Sequence, residues 1–256
     1  MVSDDPLIKG IWCVPKYSNP GGEIYSDETV KRLAALGNIA GPNFRIMWDN
    51  AYAVHDFHDT PETVLCLLAA CREVGTEDTA IMFGSTSKVT YAGAGVGFMA
   101  ASQNNLSAFR DYLSAIMIGP DKVNQLRHIR LLKNMEGVRE HMRKHAHIMR
   151  PKFERVLHHL EQDLHDKGIG EWTHPLGGYF ISFDSMPGLA TEIIQLSADA
   201  GVKLTPAGAT YPYGKDPEDK NIRLAPSFPS IGEIDQAIQV FTLCVKLASA
   251  RHLLKS

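Results

Sequence analysis

The chain has 256 residues, 44% of them hydrophobic and 21% charged, with 26 Lys and Arg against 29 Asp and Glu for a formal net charge of −3. This is a soluble globular composition, close to the ~250–300 residues at which one core divides into two. The near balance of charge excludes the basic footprint that nucleic acid or an anionic membrane surface requires, and no apolar run reaches the ~20 residues of a membrane span.

The first residues, Met1-Val2-Ser3-Asp4-Asp5-Pro6, are acidic and unlike a signal or transit peptide. Cys13, Cys66, Cys71 and Cys244 form no Cys-x-x-Cys pair, which predicts free thiols and a cytoplasmic location. Gly10–Pro15 reads as a buried strand. Asp27 to Gly41 reads as a helix, opened by Ser26 and carrying Val30, Leu33, Ala34 and Leu36 on one face. Phe44–Trp48 is a second strand, and Thr60 to Gly75 a second helix with Pro61 in its first turn. Thr79–Phe83 and Val96–Ala100 complete the strands of this half, and their alternation with helices predicts a mostly parallel sheet. Asp121 to His165 is helix-compatible, with Pro151 expected to kink or divide it. Leu176–Phe183 then reads as a strand, Ala190–Ala200 as a helix, Asn221–Leu224 as a strand and Ile231–Leu254 as a final helix. A domain boundary is expected near residue 145.

Ligands of such sheets bind beyond the carboxyl ends of the strands. Asn19 follows the first strand, Asp49 and Tyr52 the second, and Ser85, Thr86, Ser87 and Lys88 the third. A partly desolvated lysine can attack a carbonyl, and hydroxyls suit a phosphate dianion. An aldehyde that carries a phosphate is pyridoxal phosphate. Asp49 could keep its pyridine nitrogen protonated, and Tyr52 and Asn19 could bond its phenolic oxygen. Each residue alone also has an ordinary reading as a turn, a cap or a surface group.

In order along the chain, Asn19-Pro20-Gly21-Gly22, Asp49-Asn50-Ala51-Tyr52 and Ser85-Thr86-Ser87-Lys88 resemble the signature of fold-type-I pyridoxal-phosphate aminotransferases of class I/II. Residues 10–17, 88–95 and 119–128 resemble a bacterial aspartate-aminotransferase-like subgroup. The resemblance implies an α/β fold: a three-layer, mostly parallel sheet of a partial cofactor-binding large domain at 1–145, then an α+β small domain at 146–256. It implies transfer of an amino group from an acidic amino acid to a 2-oxo acid, with 2-oxoglutarate as acceptor. Lys88 would form the Schiff base and move the proton, Asn19, Asp49 and Tyr52 would hold the cofactor ring, and Ser85 and Ser87 its phosphate. Asn221-Ile222-Arg223-Leu224 is similar to the segment whose arginine grips the substrate α-carboxylate, a task suited to the guanidinium fork. Tyr179 matches a position on the substrate side, together with Asn19. A homodimer is implied, with Asp121–Arg130 as a candidate interface segment and Arg127 or Arg130 as candidate readers of a side-chain carboxylate.

Two departures stand out. The stretch after Lys88 reads Ala92-Gly93-Ala94-Gly95-Val96-Gly97, with no phosphate-binding arginine. The family's region ahead of the Asn-Pro segment, with its phosphate loop and stacking aromatic, has no counterpart, so the chain resembles the C-terminal part of an aminotransferase. A lyase or decarboxylase on the same scaffold, or a catalytically silent fragment, are the competing expectations. Gly93-x-Gly95-x-Gly97 is no dinucleotide fingerprint, because a strand follows it. His141, His145 and His147 lie among Arg139, Arg143 and Lys144, which favours a solvated basic face over a metal site.

Overall fold

A computed structural model describes residues 2–255. The chain forms two compact units. The first comprises residues up to Lys16, Glu23–Val54 and Thr60–Met142; the second comprises Tyr17–Gly22, His55–Asp59 and the residues from Arg143 onward.

The first unit holds a four-stranded sheet in the order β1 (Gly10–Cys13), β2 (Arg45–Asp49), β3 (Ala80–Ser85), β4 (Gly97–Ala101). β1, β2 and β3 are parallel, with Gly10 opposite Arg45 and Ile46 opposite Ala80. β4 returns antiparallel, Ile81 facing Ala101, because residues 86–96 are too few to build a helical crossover. Ile46 and Trp48 alternate with half-buried neighbours along β2, the period-two pattern of a strand with one face in a core. That core also takes Val30 and Ala34 of α1 (Asp27–Ala35) and Leu67, Ala70 and Cys71 of α2 (Leu67–Glu73). Ser26 caps α1, its hydroxyl accepting from the Thr29 amide at 3.2 Å.

α2 is shorter than its sequence pattern predicts. Thr60–Cys66 is not helical, and Pro61 starts nothing. Residues 60–63 are exposed, so helix begins only where Leu67 and Leu68 find a core to pay for its nucleation. α3 (Gln103–Ile116), absent from the sequence reading, is capped by Ser102 and buries none of its residues. The stretch 121–165 is divided at Lys133–Asn134, where Lys133 has a φ of 60°, and not at Pro151. This gives α4 (Lys122–Leu132) and α5 (Met135–Leu164). Pro151 lies inside α5, where Met149 and Phe153 are buried on either side of it; packing outweighs the lost backbone hydrogen bond.

The second unit holds an antiparallel sheet in the order β5 (Gly170–Trp172), β6 (Ile181–Ser185), β7 (Asn221–Leu224). Its strand β6 starts at Ile181, because Gly177–Phe180 form no ladder there. Phe153, Val156, Leu160 and Leu164 recur at three- and four-residue intervals along α5. They meet Ile181 and Phe183 of β6, Ile193 of α6 (Ala190–Asp199) and Phe241 and Val245 of α7 (Ile231–Leu253) in one core. A capping box of Ser230 and Glu233 opens α7.

Candidate active site

In the first unit, β2 and β3 end side by side, and the Asn50 amide donates to the Phe83 carbonyl at 3.0 Å. Asp49 closes β2, half-buried, and Tyr52 follows in a tight turn, 5% exposed. β3 runs into a turn closed by the Val89 and Thr90 amides, both donating to the Thr86 carbonyl at 2.9 and 2.8 Å. Lys88 stands in this turn. Its Nζ lies 4.9 Å from the centroid of the Tyr52 ring, a cation–π distance. The side chain is exposed, not partly desolvated as the sequence suggests, because the turn carries it past the end of the buried strand. The Ser85 hydroxyl donates to Ser87 Oγ at 2.9 Å and accepts from the Ser87 amide at 3.1 Å. Gly95 abuts them so closely that a Cβ would fall 2.1 Å from Ser87 Oγ, so only glycine fits. Asp49, Tyr52, Ser85, Ser87 and Lys88 thus belong to one unit and flank two adjacent strand ends.

Asn19, Arg223 and Tyr179 belong to the second unit. Arg223 lies within β7, half-buried, and its Nη1 donates to Asn19 Oδ1 at 3.1 Å. The guanidinium carbon is 4.8 Å from the Phe180 ring centroid. Its Nε is buried and has no hydrogen-bond partner among the described residues. Tyr179 Oη meets His145 Nε2 at 3.1 Å, and the His55 ring is 5.3 Å from Tyr179 and 5.7 Å from His145. Gly177 and Gly178 shape this approach: a Cβ on Gly177 would lie 2.3 Å from the His55 carbonyl oxygen, and Gly178 has a φ of +80°.

His141, His145 and His147 of α5 do not form the solvated face that their basic neighbours suggest. His141 is half-buried and bonds the Val89 carbonyl at 2.7 Å, and His145 bonds Tyr179; of the three, His147 alone is exposed. The α5 backbone turns two of the three inward, which adjacent charges alone do not reveal. The cysteines are free, and burial pushes the Cys13 and Cys71 thiols up from their usual range, away from nucleophilic use. Burial also pushes the Tyr25 phenol, beside Cys13, up to about 12. No described helix is long and apolar enough to cross a membrane.

The sequence model of a family described as aspartate amino-transferase matches residues 1–256. A protein of Mycolicibacterium smegmatis is 48% identical over 257 residues, 99% of this chain and 59% of its own length. An aspartate aminotransferase of Corynebacterium glutamicum is 45% identical over 248 residues, covering 97% of this chain and 57% of that protein. The crystal structure of an aspartate transaminase from Corynebacterium glutamicum superposes with a TM-score of 0.95 at 44% identity, over 98% of this chain and 59% of that one. The chain therefore spans less than three-fifths of the length of each of these relatives.

Proposed function

The chain belongs to the aspartate amino-transferase family, and from that premise we propose that it supplies the lysine-bearing part of a pyridoxal-phosphate-dependent transfer of an amino group from an aspartate- or glutamate-type amino acid to a 2-oxo acid. The observation that carries this reading is the exposed Lys88 amine over the Tyr52 ring, flanked by Asp49, Ser85 and Ser87 at two strand ends.

The donor set fits the cofactor. Asp49 offers a carboxylate for a protonated pyridine nitrogen, and Tyr52 a phenol for its ring oxygen. Ser85 and Ser87, 2.9 Å apart, offer two hydroxyls for a phosphate, and Lys88 an amine for an aldehyde. When bound, pyridoxal phosphate supplies an electron sink next to the substrate's α-carbon. Lys88 would hold the cofactor through its Nζ, and the same amine would take the substrate's α-proton as a general base and return it as an acid. Asn19 is shared between cofactor and substrate.

Arg223 binds the substrate α-carboxylate. Asn19 fixes one arm of its fork and Phe180 lies against the guanidinium, so the group is oriented before substrate arrives. A buried Nε lacking an acceptor is costly, and a carboxylate provides one. Tyr179, held by His145, lines the same substrate side.

A homodimer is supported by α3, which leaves Phe109, Tyr112 and Ile116 at 41%, 68% and 60% exposure. Free cysteines support a reducing, cytoplasmic setting. The test is incubation of the cofactor-loaded protein with aspartate and 2-oxoglutarate. Appearance of oxaloacetate and glutamate is the expected result; release of carbon dioxide without glutamate would make the protein a decarboxylase.

A further inference from the structure

We infer that His128 and Asn124 of α4, with His141 of α5, are positioning residues for Lys88: they hold the loop that carries the lysine on both sides of it. The inference rests on the reading of Lys88 given above.

Residues 86–96 join β3 to β4 and contain Lys88. His128 Nε2 lies 2.9 Å from Thr86 Oγ1 and 2.9 Å from Thr90 Oγ1, the residues two before and two after the lysine. One turn earlier on α4, Asn124 Nδ2 donates to the Ala94 carbonyl at 2.7 Å. From α5, His141 Nε2 donates to the carbonyl of Val89, the residue next to Lys88, at 2.7 Å. Three side chains on two helices therefore grip the loop at Thr86, Val89, Thr90 and Ala94. The loop closes on itself as well, the Val96 amide donating to Thr86 Oγ1 at 2.8 Å.

The donor pattern fixes the histidine's tautomer. His128 Nδ1 faces the Asn124 carbonyl at 2.9 Å, and a carbonyl only accepts, so Nδ1 carries a proton. In that tautomer Nε2 is an acceptor, and the Thr86 hydroxyl donates to it. The Thr90 hydroxyl has two acceptors within reach of its one proton, His128 Nε2 at 2.9 Å and the Thr86 carbonyl at 3.1 Å.

The arrangement answers a chemical demand. An amine that binds a cofactor and then moves a proton needs a mobile side chain on a fixed Cα, and a misplacement of about 1 Å can cost about 100-fold in rate. Thr86 and Thr90 are four residues apart, as are Asn124 and His128, so one short face of α4 meets one turn of the loop.

The test uses His128→Ala, the conservative His128→Gln, and Thr90→Val, which removes one hydroxyl at constant shape. Amide hydrogen exchange on the protein without added cofactor reads the loop directly. His128→Ala should speed exchange across residues 86–96 by about tenfold and leave peptides of β1 and β2 unchanged. Thr90→Val should do so less, and a His128→Ala protein too unstable to purify would leave that smaller change as the measurement. In the loaded enzyme, His128→Ala should lower kcat for aspartate by about 10- to 100-fold at nearly unchanged KM, with partial rescue by Gln. Unchanged exchange across 86–96 in both variants would overturn the inference, as would a rise in KM with kcat intact. Failure of the Lys88 assignment itself shows separately, as cofactor bound equally well by Lys88→Ala.

Discussion

Lys88 and Arg223 are held in opposite ways. Around Lys88 the loop is bonded at Thr86, Val89, Thr90 and Ala94, and the lysine is exposed. Around Arg223 the side chain itself is fixed: it lies within a strand, bonded to Asn19 and set against Phe180, with Nε buried. The difference matches the proposed tasks. A lysine proposed to hold a cofactor and move a proton is served by a fixed backbone, whereas an arginine proposed to recognise a carboxylate gains from a fork oriented in advance.

The sharpest break of this comparison is Lys88→Ala. Loss of both nucleophile and base should lower the rate of amino transfer by at least about 10³-fold, measured as oxaloacetate formed from aspartate, while aspartate binding is retained. Arg223→Lys should do the reverse. It keeps the charge but not the fork, so KM for aspartate should rise by about 10- to 100-fold with a smaller change in kcat; an unchanged KM would place the carboxylate elsewhere. Asn19→Ala leaves the guanidinium intact but unsteadied, and should raise the same KM by about fivefold, the scale of one hydrogen bond.

The smallest expected effect concerns the second unit's frame. The Lys246 ammonium and the Thr242 hydroxyl bond Asp163 and hold its carboxyl below the usual range. A folded-state value below the unfolded one stabilises at neutral pH, and that stability is lost as pH falls below about 4. Asp163→Asn should therefore lower the stability at pH 7 slightly, by less than about 1 kcal/mol, and remove part of the decline in acid, as read by thermal unfolding. A decline identical to that of the unchanged protein would remove Asp163 from the account.

Much of this was legible in the residues. The Asp49, Tyr52, Ser85, Ser87 and Lys88 set could be read because strand ends are marked by abrupt loss of apolar pattern, and α7 because its apolar residues recur at helical spacing. α3 escaped because a helix that buries nothing has little to distinguish it from a polar loop at its Gln103-Asn104-Asn105 start. The false start at Pro61 and the uninterrupted passage through Pro151 share a cause: burial, decided in three dimensions, outranks local signals. The grip on the Lys88 loop was out of reach for a further reason. His128 and His141 meet residues 38 to 52 positions away, and only the paired four-residue spacings of Thr86 with Thr90 and Asn124 with His128 left a trace.

The most direct measurement is borohydride reduction of the protein after loading with pyridoxal phosphate, followed by peptide mapping. The account predicts a stable pyridoxyl adduct on the peptide that contains Lys88, and none on the Lys88→Ala variant. An adduct confined to another lysine such as Lys16, or none on the loaded protein, would contradict it.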